Sequence, residues 1–158
     1  MRCCSQWPLW LGLMWLVLLS QGCVGSGGTR ESAVDGARGR VVMAALSEVG
    51  TRYKYGAQSP GKALDCSALT QHAYSAAGVE IPRVSTDQRE AARPVRLAKM
   101  RPGDLVFFRI RPGLHHVGLM VDKTRFVHAS MSQKRVRLSN IKSDYWQRHL
   151  IGAGTYLN

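Results

Sequence analysis

The sequence is short of acidic side chains relative to basic ones, and this imbalance limits the partners that it can have. Ten Asp and Glu stand against 22 Lys and Arg, which gives a formal charge of +12 at pH 7. Such an excess points to nucleic acid, anionic lipid or an anionic cell-wall polymer nearby, or simply to a solvated basic surface. The arginines are scattered along the chain and no nucleic-acid motif accompanies them, so no nucleic-acid partner is predicted.

Cysteine is also scarce, and the four cysteines do not suit a disulfide framework. Cys3 and Cys4 precede an N-terminal apolar run and Cys23 follows it, which leaves Cys66 alone in the rest of the chain. In an oxidising compartment a lone thiol is more often kept for reactivity than for packing. Cys66 is therefore a candidate nucleophile.

No apolar run in the chain has the length of a membrane span. Residues 9–19 (LWLGLMWLVLL) are unbroken by charge, but a spanning helix needs about 20 apolar residues, and the shorter run suits the core of an export signal. The run ends at Ser20-Gln21-Gly22-Cys23, which resembles a bacterial lipoprotein signal in which Cys23 becomes the lipidated first residue. The alternative is an ordinary cleaved signal, because Ser20 stands where lipoprotein signals usually carry leucine.

The remaining chain divides into a linker and one domain. Residues 24–39 are rich in glycine, serine and charge and have no apolar periodicity, which is typical of a flexible tether. We predict a lipoprotein-type signal peptide at 1–22, a tether at 23–39 and a folded domain at 40–158. Val24 after Cys23, with no aspartate there, favours the outer membrane by analogy with lipoprotein sorting, and a monomer is the default.

Hydrophobic spacing predicts helices in the first half of the domain and strands in the second. This order is typical of an α+β fold, in which helices pack on an antiparallel sheet, here of about five to six strands. The predicted helices cover about 40–49, 66–77 and 86–92, and the predicted strands cover 104–109, 115–122, 125–130, 136–139 and 151–156.

Cys66 lies at the predicted start of a helix, a position that alters the chemistry of a thiol. Asp65 is placed to be the N-cap, and Leu69, Ala73 and Ala77 form a buried stripe behind it. The unpaired backbone N–H groups and the positive end of the helix dipole favour a thiolate there. Such a nucleophile still needs a base.

The alternation of side chains along paired strands identifies His116 as a candidate base. If Asp122-Lys123-Thr124 forms a three-residue loop, Gly118 pairs with His128, and His116 then lies diagonally from His128 on the same face. His115 should face away, and Gly118 should leave room for a side chain arriving from the helix. A two-residue loop would separate the two histidines. Zinc could in principle bind Cys66, His116 and His128, but no fourth ligand has recognisable spacing, so no metal or cofactor is predicted.

The ordered set of motifs resembles the NlpC-type cell-wall cysteine peptidases, which have a compact papain-like fold. The resemblance runs from about residue 44 to 156. Its motifs are TRYKYG at 51–56, LDCS at 64–67, IPR at 81–83, RPGDLVFF at 101–108, HVGL at 116–119 and FVHAS at 126–130. Ala68 departs from the family, which usually has glycine there, and Val84 stands where serine or threonine is common.

The resemblance implies a catalytic set and a substrate class. Cys66 is the implied nucleophile, His116 the general base and His128 the residue that orients it. Tyr53, Asp65 and Ser67 line the substrate cleft in similar proteins.

The implied substrate is the stem peptide of peptidoglycan, cut either between D-Glu and diaminopimelate or at the cross-link. The alternatives are a catalytically silent wall-binding lipoprotein, or an amidase or acyltransferase on a related scaffold.

Overall fold

The computed structural model describes residues 28–158, with side chains from residue 36 onward. The predicted signal peptide at 1–22 and the lipidation site Cys23 lie outside these residues.

The first helix begins earlier than predicted. Helix α1 spans Gly28–Ser47, whereas the hydrophobic spacing predicted a helix only from about residue 40. Arg38 explains part of the difference, because it is buried and its Nη1 donates to Asp104 Oδ1 at 2.7 Å and to the Pro102 carbonyl at 2.9 Å. Once these contacts and the buried Val41 and Ala45 fix the helix, further turns can be added at its N-terminus at little cost.

Three more helices follow. Helix α2 spans Cys66–Ser75 and α3 spans Ser85–Ala91, close to the predicted positions. Helix α4, Asp144–His149, was not predicted. None of its residues is fully buried, so the sequence offered no apolar stripe to reveal it.

A nine-stranded sheet has the order β2-β3-β1-β8-β7-β6-β5-β9-β4. The predicted five to six antiparallel strands were wrong in number and partly in direction, because four strands have only two residues and β1 pairs in parallel with β3. Two residues are too few to produce an alternating pattern. The strands are β1 Arg52–Tyr53, β2 Gln58–Ser59, β3 Ala63–Leu64, β4 Arg93–Pro94, β5 Leu105–Arg111, β6 Leu114–Met120, β7 Arg125–Ser130, β8 Arg135–Asn140 and β9 Leu150–Thr155.

The sheet has a different apolar cluster on each face, and the two clusters position the site. Helices α1 and α2 pack on one face, where Leu69 and Tyr74 meet Leu119 and Val127. The other face carries Val106, Phe108, Met120, Phe126 and Ile141, and Trp146 of α4 packs against them. Helix α2 is therefore held with its first residue beside β6, the strand that carries His116.

Candidate active site

Cys66 begins α2, as predicted. The Asp65 carboxylate caps the helix by accepting the backbone N–H of Ala68 at 2.8 Å. This bond satisfies one of the donors that a helix start leaves unpaired. The Cys66 sulfur receives backbone N–H groups from Cys66, Ser67 and Val117, and each of these hydrogen bonds lowers the pKa of the thiol. The sulfur therefore lies against β6 at the backbone of Val117, the residue that follows His116 along the strand.

The thiolate prediction was wrong for the resting site. Burial raises the pKa of the Cys66 thiol to about 11, and the Asp65 carboxylate adds to the increase, while the three backbone donors only partly oppose it. A thiolate needs more solvation than the backbone N–H groups at the helix start can supply. The resting nucleophile is consequently a neutral thiol.

Asp65 and Ser67 are joined to a residue that the sequence reasoning did not select. The Arg83 guanidinium donates to both oxygens of Asp65, at 3.0 and 2.5 Å, and to Ser67 Oγ at 2.7 Å. Asp65 also accepts the backbone N–H of Gly56 at 3.1 Å. The motif at 81–83 was the available signal, since its arginine follows the helix that the aspartate caps.

These residues form one wall of an open cleft of about 480 Å³. Tyr53 lies on the same cleft, and its pKa is raised by partial burial, then by the nearby Cys66 and Asp65. The three predicted cleft residues and the nucleophile are thus brought together. His115, expected to point away, also lines this cleft.

The predicted register of the histidine strands is confirmed. Leu119 pairs with Val127, and the Val121 N–H donates to the Arg125 carbonyl at 3.0 Å, as a three-residue loop requires. His116 Nε2 then lies 2.9 Å from His128 Nδ1, with the two rings perpendicular. Each histidine is only 2% exposed.

Burial keeps both imidazoles neutral. It lowers the pKa of His116 to about 4. It also lowers the pKa of His128 to about 3, to which the neighbouring His116 and Arg137 contribute. Because the Nε2 of His116 is used by His128, only its Nδ1 is left to receive a proton from Cys66. That nitrogen is buried and has no hydrogen-bond partner among the residues from 36 to 158.

Aromatic rings surround the histidine pair. Trp146 stacks on His116 with ring centroids 5.9 Å apart and meets His128 edge-on at 4.9 Å. Trp146 lies on α4, which was not predicted, so its place over the histidines could not be expected from the sequence. The space beside Gly118 is filled by Phe126 rather than by a helix side chain, since a Cβ at Gly118 would lie 2.4 Å from that ring.

Within the described range, 28–158, no three side chains of His, Cys, Asp or Glu are grouped closely enough to hold a metal ion. Nor does any helix in that range combine the length and apolarity needed to cross a membrane.

A helix-start cysteine beside a strand that bears a paired histidine is the arrangement of a thiol-dependent hydrolase on a papain-like scaffold. The chain belongs to the NlpC/P60 family, whose model matches residues 50–155.

Characterised relatives and solved structures agree with this assignment. The chain is 34% identical to murein DD-endopeptidase MepH of Escherichia coli, over 68% of this chain and 42% of that protein. It is 32% identical to the bifunctional muramidase/DL-endopeptidase CwlT of Bacillus subtilis, over 72% and 35%.

A crystal structure of a lipoprotein-like NLP/P60 protein from Staphylococcus aureus superposes with a TM-score of 0.70 at 33% identity. The match covers 78% of this chain and 42% of that one. The chain spans about half the length, or less, of the curated relatives it matches.

Proposed function

We propose that the protein is a cysteine endopeptidase that hydrolyses the stem peptides of peptidoglycan. The observation that carries the proposal is the pairing of His116 Nε2 with His128 at 2.9 Å, which leaves the buried Nδ1 of His116 free on the strand whose next residue, Val117, contacts the Cys66 sulfur. The names of the relatives, a murein DD-endopeptidase and a bifunctional muramidase/DL-endopeptidase, support the substrate class.

Acylation begins with Cys66. Its thiol proton moves to His116 Nδ1 as the sulfur attacks the amide carbonyl carbon, so that an S–C bond forms and the carbonyl oxygen becomes an oxyanion. The backbone N–H groups at the start of α2 are placed to receive that charge. When the intermediate collapses, the C–N bond breaks and His116 gives its proton to the leaving amine.

Deacylation repeats the same steps with water. His116 Nδ1 takes a proton from the water, the oxygen attacks the thioester carbonyl, and the S–C bond breaks to return the thiol of Cys66 and release a carboxylic acid. His128 orients the His116 ring throughout. A histidine in this role adds no negative charge, so it stabilises the imidazolium less than a carboxylate would.

Burial determines when the nucleophile becomes charged. Because burial raises the pKa of Cys66 and lowers that of His116, a separated charge on either group is unfavourable before substrate arrives. A thiolate and an imidazolium formed together attract each other strongly in such a site. The proton therefore transfers within the pair as the substrate carbonyl closes over the sulfur.

Tyr53, Asp65 and Ser67 are the proposed substrate-binding residues, because they line the cleft beside Cys66. The relatives include both a DD-endopeptidase and a DL-endopeptidase. The proposed scissile bond is therefore either the cross-link or the D-Glu–diaminopimelate bond.

The chain's place in the cell is a further part of the proposal. A signal peptide at 1–22 and lipidation of Cys23 would anchor the monomeric domain to the outer membrane, on its periplasmic side and within reach of the wall. Labelling with radioactive palmitate tests the anchor, since the native protein should take up the label and a Cys23→Ala variant should not if Cys23 is lipidated.

Mass analysis of purified peptidoglycan digested by the protein tests the enzyme assignment. We expect Cys66→Ala and His116→Gln to reduce hydrolysis by about a thousandfold or more. His72→Gln is the matched control, because His72 lies on α2 but lines a different pocket from Cys66, and this variant should retain most of the activity. Loss of cross-linked dimers would identify the cross-link as the target, and truncated stems would identify the D-Glu–diaminopimelate bond. Binding without any bond cleavage would contradict the proposal and favour a silent wall-binding protein.

A further inference from the structure

His128 has a second contact that the proposed chemistry does not use. Its Nδ1 faces His116 at 2.9 Å, and its Nε2 lies 2.9 Å from Ser139 Oγ. Ser139 is on β8, where Phe126 pairs with Ser139 and His128 pairs with Arg137. His128 and Ser139 are therefore diagonal neighbours across one strand pair, the same relation that brings His116 and His128 together.

The three side chains form a chain of hydrogen bonds that has only two consistent arrangements. Each contact holds one hydrogen, and a neutral imidazole carries one hydrogen on one of its two nitrogens. If His128 Nε2 donates to Ser139, its Nδ1 must accept from His116 Nε2, and His116 Nδ1 is left bare. If Ser139 donates instead, the hydrogens all reverse and His116 Nδ1 carries one.

Only the first arrangement supplies a base. A bare His116 Nδ1 can take the Cys66 proton, whereas a protonated one cannot. The second arrangement would also leave an N–H donor buried at His116 Nδ1, where the described residues offer it no acceptor. Both arrangements leave this buried nitrogen without a partner among the described residues, and unpaired buried N–H donors are rarer in proteins than unpaired acceptors, which favours the first arrangement.

We infer that Ser139 is a positioning residue, which accepts the His128 Nε2 hydrogen and thereby sets the tautomers of both histidines so that His116 Nδ1 is free to act as the base. The role of His116 in this inference rests on the proposed function. The direction of the hydrogen bonds does not, because it can be measured in the absence of substrate.

The experiment combines nitrogen NMR of the imidazole side chains with kinetics on the full chain. In the native protein we expect both histidines to carry their hydrogen on Nε2. Ser139→Ala should produce mixed or reversed tautomers and lower kcat by about tenfold or more with little change in KM. Ser139→Thr keeps the hydroxyl and should restore both readouts. Ser132→Ala is the matched control, because it removes a hydroxyl from the pocket that His116 and His128 line, and that hydroxyl bonds to Ser130 rather than to a histidine.

Two results would overturn the inference: Nδ1-protonated histidines in the native protein, or unchanged tautomers in Ser139→Ala whatever happens to its activity. Failure of the proposed function looks different. In that case the native protein would not cleave peptidoglycan, while the tautomers would still respond to Ser139→Ala.

Discussion

Two walls of the proposed site are stabilised by opposite physical means. The nucleophile wall is polar, since Asp65, Ser67 and Arg83 share charged hydrogen bonds beside an open cleft, and the Arg83 side chain remains 30% exposed. The base wall is almost dry, since His116 and His128 are buried among Phe108, Phe126 and Trp146.

The difference indicates a division of labour. The polar wall can exchange its hydrogen bonds with those of a substrate, and its charges are partly screened by water. The dry wall cannot, but it keeps an imidazole neutral and ready to accept a proton at pH values where an exposed histidine would be partly charged. Under the proposed mechanism, substrate recognition and proton transfer therefore take place in environments that suit each of them.

The largest effect should come from a variant that removes the hydrogen-bonding nitrogens of His128 but keeps an aromatic ring in their place. His128→Phe preserves an aromatic ring next to Trp146 but leaves His116 Nε2 without its partner. We expect kcat to fall about a hundredfold or more, while the free energy of unfolding changes by only about 1 kcal/mol. A stability loss as severe as the kinetic loss would mean that His128 acts mainly as core.

Alkylation of the nucleophile sharpens the comparison from the other wall. Because burial raises the pKa of Cys66 to about 11, its reaction with iodoacetamide should accelerate about tenfold per pH unit between pH 7 and 10. Mass spectrometry of the peptide that contains Cys66 separates this adduct from those of the other cysteines. A rate that is already constant below pH 8 would show a stable thiolate and refute the assignment of a neutral resting thiol.

The dry wall should also make stability depend on pH. In the unfolded chain His116 titrates near 6.5, whereas in the folded protein burial lowers its pKa to about 4. Below pH 6.5 the unfolded state therefore binds more protons, and the free energy of unfolding falls as the pH drops through this window, by up to about 1.4 kcal/mol per pH unit for each such histidine.

His128 shifts in the same direction, to about 3. Urea titrations between pH 7 and 4.5 should consequently show a smaller slope in His128→Phe than in the native protein. Equal slopes in the two proteins would contradict the view that both histidines are held neutral.

The last test removes the ion pair of the polar wall. Arg83→Met leaves the largely buried Asp65 without its cation, so the free energy of unfolding should fall by about 1–3 kcal/mol. Arg125→Met is the matched control, because the Arg125–Asp122 pair is exposed and its loss should cost less than about 1 kcal/mol. Chemical denaturation measures both. Similar losses in the two variants would mean that the Asp65 pair is as weakly coupled to the fold as a surface pair.

Prediction from sequence succeeded where one residue type and one period were sufficient. The capping aspartate, the cysteine that begins α2 and the shared face of His116 and His128 all follow from local rules of spacing. The prediction of a thiolate at Cys66 failed because the pKa of the thiol depends on what packs over the sulfur, and local sequence rules do not report that burial. Arg83, Trp146 and Ser139 were missed for the same reason, since each reaches the site through a tertiary contact from another element.

Errors in the fold have related causes. The glycines and charges of residues 28–39 favour a linker when read locally, and only the contact of Arg38 with Asp104 across the domain shows why the helix persists there. The two-residue strands are formed by the neighbours they pair with, so their sequences carry little signal of their own.

The position of Trp146 allows its intrinsic fluorescence to serve as a probe of the histidine pair. The chain has four tryptophans, and the other three, at positions 7, 10 and 15, lie in the predicted signal peptide. Once that segment is removed, all tryptophan emission would come from a ring 5.9 Å from His116 and 4.9 Å from His128. Since a protonated imidazole quenches a nearby indole, the intrinsic fluorescence of the mature protein would report the charge of its histidine pair in real time, with no label attached.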